Sequence, residues 1–104
     1  MKDYYASEKF SSAVRGMAVS PKSIQHRLAD AYVYNLIHVE DDKVPEEIQA
    51  DFRKLKERLR DVAPLAGEGG IQPMSSNMSD DEARTLASQI VDMYFQVESA
   101  LNAD

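Results

Sequence analysis

Two histidines are the side chains of this sequence best suited to acid–base or metal chemistry, and both lie in one amphipathic segment. His26 and His38 are twelve positions apart, which is about 18 Å along a helix. Asp30 stands at i+4 from His26, and residues 40–42 are acidic beside His38, but neither set has the ligand number and spacing of a metal site. The Glu-x-x-His pair of di-iron bundles is also absent. The sequence therefore predicts no metal, no cofactor and no catalytic residue.

Covalent catalysis and phosphate binding by a loop also lack their usual motifs. Ser75 and Ser76 lie near glycines but in no Gly-x-Ser-x-Gly turn. Gly67, Gly69 and Gly70 are not followed by the Lys-Ser/Thr of a P-loop. The chain has no cysteine, which excludes disulfides, thiolate nucleophiles and cysteine-containing zinc sites.

A cluster of five basic residues is the most prominent charged feature: Arg53, Lys54, Lys56, Arg58 and Arg60. Such a cluster on one helix can bind phosphate groups. Five acidic residues balance the same segment, 44–63, to zero charge, and Arg53 stands at i,i+4 spacing for a surface pair with Glu57. We prefer a solvated charged face, and keep nucleic acid or an acidic protein, including a second copy of this chain, as alternatives.

The net charge of −6 lies at the C-terminal side of the chain. Residues 64–104 hold one basic and seven acidic side chains, whereas the acids and bases before them cancel. Because phosphate backbones and anionic membranes attract clustered Lys and Arg, this distribution disfavours both partners. No apolar run approaches the roughly 20 residues that cross a bilayer, and the first residues lack the apolar core of a signal peptide. We expect a cytoplasmic location.

Apolar residues recur at helical spacing in four segments, which predicts helices over about 3–18, 21–39, 45–63 and 79–102. Ser20-Pro21 and Pro45-Glu46-Glu47 are typical helix starts. Residues 79–82 have the pattern of a capping box. The second segment is apolar nearly all round near its end, which favours a central helix. The third has the most regular seam: Ile48, Phe52, Leu55, Leu59 and Val62.

These segments predict one all-α domain over residues 1–104, an antiparallel four-helix bundle, because no segment alternates polar and apolar residues as a strand does. The connection from Pro64 to Met78 is rich in Gly, Pro and Ser. It is longer than the roughly 2–8 residues usual between bundle helices. This long loop between the third and fourth helices, or a groove that it covers, is a candidate site for a partner.

Neighbouring aromatic residues give a second indication of an interface. Tyr32 and Tyr34, and likewise Tyr94 and Phe95, cannot all point inward from one helical stripe. At least one of them is expected to be exposed or to be buried against a second subunit, and Tyr with Arg is typical of binding hot spots. Monomer and homodimer both stay open.

Four stretches of this chain resemble a group of short, uncharacterised bacterial proteins: Ile24 to Tyr32, Val44 to Ile48, Gly69 to Ile71 and Met78 to Ala83. The resemblance covers most of the chain. It implies a bacterial origin, and no activity, ligand or catalytic residue comes with it.

We therefore expect a cytoplasmic protein-interaction or regulatory module without catalytic activity. The candidate partner-binding residues are Tyr34, Arg53, Lys54, Lys56, Arg58, Arg60 and Tyr94. The first alternative is a nucleic-acid-associated accessory protein that uses the five basic residues. The second is an enzyme or small-ligand-binding protein that uses His26 or His38, which requires an acidic or hydroxyl partner beside the imidazole in a pocket.

Overall fold

The computed structural model describes residues 3–67 and 78–103, which form four α-helices and no strand. The helices are α1 (Tyr5–Val19), α2 (Ile24–Tyr34), α3 (Gln49–Leu59) and α4 (Asp80–Leu101), with short 3-10 turns at Leu36–His38, Asp41–Lys43, Glu46–Ile48 and Ala63–Leu65. The predicted all-α, bundle-like fold is confirmed. Residues 68–77, which hold most of the predicted long loop and its serines, lie outside the described residues.

Helix α2 is shorter than the predicted segment 21–39 at both ends. Its N-cap is Ser23, whose hydroxyl accepts the His26 amide at 3.1 Å, so Pro21 lies before the helix. It ends at Asn35, whose backbone angles leave the helical region. The turn that follows lets Leu36 and Val39 both reach the core. The all-round apolar pattern is therefore accommodated by a bend in the chain rather than by one straight buried helix.

Helix α3 is also shorter than predicted, although the prediction of its apolar seam is confirmed. The α-helix covers Gln49–Leu59 instead of 45–63, because 3-10 turns form at Glu46–Ile48 and Ala63–Leu65. Pro45 does not begin the α-helix. Its carbonyl accepts the Ile48 amide at 3.0 Å as part of the first turn. Every residue of the predicted seam is nevertheless buried.

Helix α4 has 22 residues and is about 33 Å long. Ser79 caps it by accepting the Glu82 amide at 3.0 Å, as the capping box predicts. The Glu82 carboxylate binds Arg58 of α3. Among the helices in the described part of the chain, each is too short or too polar to traverse a lipid bilayer.

Helix α1 packs against both α2 and α4. Gly16 does not end it, because the Ser20 amide still donates to the Gly16 carbonyl at 3.2 Å. The Ser7 hydroxyl hydrogen-bonds to the Glu98 carboxylate near the end of α4. Residues Ala6, Phe10, Ala13 and Met17 are buried as the spacing predicts.

One core is shared by all four helices. Phe10 of α1 and Phe52 of α3 are fully buried, with ring centroids 5.4 Å apart. Leu28 of α2 and Ile90 of α4 are also fully buried. Aromatic pairs at this separation contribute beyond the area that they bury, so the contact between the two phenylalanines couples α1 to α3.

Truncation of Phe52 should therefore destabilise the fold far more than truncation of an exposed phenylalanine. We expect Phe52→Ala to lower the free energy of unfolding by about 3–5 kcal/mol, through lost burial and the cavity left behind. Phe95→Ala, at a side chain that is 63% exposed, should change it by less than about 0.5 kcal/mol. Urea unfolding followed by circular dichroism measures both. Equal losses would contradict this packing.

Candidate functional site

A groove of about 410 Å³ lies between α3 and α4 and is open to solvent along one side. Its floor is apolar and consists of Ile48, Leu55, Leu86 and Met93. Its rim is polar and consists of Asp51, Lys54, Gln89, Asp92 and Gln96. An apolar floor between charged walls is a common arrangement where one protein binds another.

The groove is bridged at one end by an ion pair between the two helices. Arg58 donates to both carboxylate oxygens of Glu82, through Nε at 2.5 Å and Nη2 at 2.7 Å, and Nη1 lies 2.5 Å from Asp61. Hydrogen bonding to Arg58 lowers the pKa of Glu82, and Glu82, followed by Asp61, raises the pKa of Arg58. This two-point contact joins the C-terminal end of α3 to the N-terminal end of α4.

At its other end the groove continues along α4. A second depression, of about 430 Å³, adjoins the first at Gln96 and is lined by Pro45, Glu47, Ser99, Ala100 and Ala103. From Leu86 to Ala100 the two depressions extend about 21 Å along the helix, or four turns. We call the two together the α3–α4 groove.

The rim of the α3–α4 groove carries four charged side chains. Asp51, Lys54 and Asp92 form no ion pair with any residue in the described ranges, and neither does Glu47. These four side chains are exposed. They are therefore available to a partner at no cost in internal contacts.

Two of the predicted partner-binding residues, Lys56 and Arg53, form contacts within the protein. Lys56 lies 2.7 Å from Asp41 Oδ1, donates to the Val39 carbonyl at 2.9 Å and stands 4.5 Å above the Phe52 ring. Arg53 donates to Asp41 Oδ2 at 3.1 Å and thus pairs with Asp41 rather than with the predicted Glu57. Hydrogen bonding to Lys56, reinforced by Arg53, lowers the pKa of Asp41 against the opposing effect of burial.

The five basic residues do not share one face, because a helical turn of 3.6 residues distributes them around α3. Arg53, Lys56 and Arg60 lie on the side away from the α3–α4 groove, and Arg60 donates to the Tyr32 hydroxyl at 3.4 Å. Arg58 bridges the groove, and Lys54 alone of the five lies on its rim. The structure therefore divides these residues between two sides of α3 rather than placing all five on one face.

His26 is a buried structural histidine, with 8% of its surface exposed. Its Nε2 lies 2.8 Å from the Gly67 carbonyl, so this nitrogen carries the proton and donates. Asp30 accepts the Gly67 amide at 2.8 Å and pairs with Lys22, in place of the possible contact with His26. Gly67 has a φ of +81°, a conformation that favours glycine.

His26 and Asp30 bind the chain just before residues 68–77, and Gln25 binds it just after them. Its side-chain amide donates to the Met78 carbonyl at 3.1 Å and to Asp80 Oδ1 at 2.7 Å. We call Gln25, His26 and Asp30 together the α2 clasp. Sequence reasoning missed the clasp role of Gln25 and Asp30, although two polar residues in a helix predicted to be central were a signal that their side chains needed buried partners.

The remaining candidates lie away from the α3–α4 groove. His38 is exposed, and Tyr34 is 57% exposed on α2. Tyr94 is half-buried, with its ring centroid 5.7 Å from that of the exposed Phe95. The prediction that at least one of these aromatic residues is exposed is confirmed, since Tyr34 and Phe95 both are. Within the described ranges, no three His, Asp or Glu side chains come together as metal ligands would.

Comparisons with protein-family models, with curated protein sequences and with solved structures gave no match to this chain. The assignment of a function therefore depends on the geometry described above.

The lowered pKa of Asp41 predicts a pH-dependent contribution to stability. A carboxylate whose pKa falls below its ordinary value of 3.8 on folding stabilises the folded state above that pH, and the contribution is lost as pH falls through the folded value. Asp41→Asn should therefore lower the free energy of unfolding by about 0.5–1 kcal/mol at pH 7. In urea titrations the difference from the unmodified protein should persist down to about pH 4 and shrink as pH falls further, through the lowered pKa of Asp41. A difference that is constant with pH would contradict the ion-pair origin.

Truncation of His26 should lower the free energy of unfolding far more than truncation of His38. His26→Ala leaves the Gly67 carbonyl without its donor and should cost about 1–3 kcal/mol of unfolding free energy. His38→Ala removes an exposed side chain and should cost less than about 0.5 kcal/mol. Urea unfolding of the two variants in parallel provides the measurement. A His26 variant as stable as the His38 variant would show that the hydrogen bond from His26 to Gly67 contributes nothing to stability.

Proposed function

We propose that this protein is a cytoplasmic interaction module that receives a segment of a protein partner in the α3–α4 groove. One observation carries the proposal: an apolar floor is flanked on both walls by charged side chains that form no ion pairs within the described residues. In protein interfaces an apolar centre with a polar rim is the common arrangement. The proposal keeps Lys54 among the predicted partner-binding residues, and gives Arg58 the role of holding the groove in shape.

A protein segment suits the α3–α4 groove better than a small molecule does. Small-molecule sites usually bury about 70–90% of the ligand and direct a few polar groups at one point. This groove is open along its length, and the polar residues of its α4 wall, Gln89, Asp92 and Gln96, follow one another at three- and four-residue steps. An elongated ligand with repeating contacts fits that arrangement.

The alternatives from the sequence have less support from the described contacts. Arg53, Lys56 and Arg58 are paired within the chain, so a phosphate backbone would have to compete with existing carboxylates. His26 is occupied by the Gly67 carbonyl, and no acidic or hydroxyl hydrogen-bond partner of either imidazole lies within the described ranges. A second copy of this chain stays a prediction, as an alternative occupant of the groove.

Filling the groove tests the proposal directly. Gln89→Trp places a large ring on the rim of the groove, whereas Ser88→Trp makes the same change about 100° around α4, on the solvent side. We expect tagged unmodified protein and Ser88→Trp to retain a stoichiometric partner at high salt, and Gln89→Trp to retain about tenfold less. Affinity capture with quantitative mass spectrometry measures this, and circular dichroism verifies that both variants fold.

Two results would contradict the proposal. One is a partner retained equally by Gln89→Trp, which would place the interface elsewhere on the molecule. The other is recovery of nothing but the chain itself by all three proteins, which would count against an interaction module.

A further inference from the structure

We infer that the segment received by the α3–α4 groove is an amphipathic α-helix with basic side chains flanking its apolar stripe. The inference rests on the proposed function and adds the chemistry of the partner. Three features of the groove carry it: the spacing of its floor, the sign of its charges and the helix end that lies beside it.

The floor has the spacing that a third helix requires. Ile48, in the turn that precedes α3, and Leu55 on α3 are seven residues apart, and so are Leu86 and Met93 on α4. Seven residues are two helical turns, the repeat at which apolar knobs of one helix enter the holes of its neighbours. The length of about 21 Å accommodates roughly four turns.

An extended peptide has no comparable means of binding here. Peptides that add a strand need an unpaired sheet edge for their backbone hydrogen bonds. The walls of the groove are α3, the turn before it and α4, and the described ranges contain no strand. A helix satisfies its own backbone hydrogen bonds and therefore needs only side-chain contacts from α3 and α4.

The charges of the rim are predominantly negative. Asp51 on α3 and Asp92 on α4 face a bound helix from opposite walls, and Glu47 lies at the far end, while Lys54 is the single opposing charge. Three carboxylates against one ammonium leave two negative charges. Arg58 and Glu82, at the bridged end, neutralise each other. A partner helix with Lys or Arg beside its stripe would complement both walls, whereas an acidic helix would be repelled.

The end of α4 increases the negative potential on the same side. Its last turn contains no basic residue, so the negative end of the helix dipole is uncompensated within that turn. Ser99, Ala100 and Ala103, which line the far end of the groove, belong to this region. Basic residues of the partner should therefore lie preferentially beside the C-terminus of α4.

The test uses two dye-labelled peptides of 15 residues with the same leucine stripe at heptad spacing, one with Lys and one with Glu at the flanking positions. Fluorescence anisotropy with the full chain gives both affinities at low and high salt, and amide chemical shifts of isotopically labelled protein locate the bound peptide. We expect the Lys peptide to bind about tenfold more tightly than the Glu peptide, with the largest shifts along the α3–α4 groove and a preference that shrinks as salt is added.

Charge reversal provides the matched control. The double variant Asp51→Lys with Asp92→Lys should reverse the order of the two peptides. Glu8→Lys with Glu57→Lys makes the same change in net charge at exposed positions outside the groove, and should keep the original order.

Each other outcome overturns the inference. Equal binding of both peptides in the groove would overturn the basic flanks while leaving the proposed function standing. Shifts confined to another surface, or no binding of the Lys peptide, would overturn the helical basic partner as a whole. The comparison of Gln89→Trp with Ser88→Trp tests the proposed function independently, because that experiment measures binding of the native partner rather than of these peptides.

Discussion

The α2 clasp is the constraint on which the positions of α3 and α4 depend. Buried amide and imidazole groups must find hydrogen-bond partners, and Gln25 and His26 find theirs in the Met78 and Gly67 carbonyls. Asp30 accepts the Gly67 amide in the same way. The chain is thereby held against α2 on both sides of residues 68–77, which places the beginning of α4 beside the end of α3.

The bridge between Arg58 and Glu82 follows from that placement, and so does the groove. Once these two helix ends are adjacent, the guanidinium can bind both oxygens of the carboxylate. Beyond the bridge, the two helices and the turn before α3 flank the apolar floor of Ile48, Leu55, Leu86 and Met93. Internal ion pairs thus hold Arg53, Lys56 and Arg58, whereas the rim charges form no ion pair with any residue that the structure describes.

The ion pair that a charged side chain forms depends on which opposite charges lie within its reach in the folded protein, as well as on the charges in its own segment. Arg53 prefers Asp41 to Glu57 because Lys56 already holds Asp41 beside α3, so that one carboxylate satisfies two cations. The i,i+4 rule considers only contacts within one helix. A tertiary partner that is partly shielded from water can displace such a local pair, since the pair by itself is worth a few tenths of a kcal/mol.

Local physics, readable from the sequence, determined the four amphipathic segments, the seam from Ile48 to Val62 and the cap at Ser79, because apolar spacing and capping depend on neighbours a few residues away. Tertiary structure alone decided where α2 ends, which basic residues are paired, that His26 is structural, and where the groove lies. Each of these depends on groups far apart in the chain, such as Arg58 with Glu82, whose meeting no local pattern encodes.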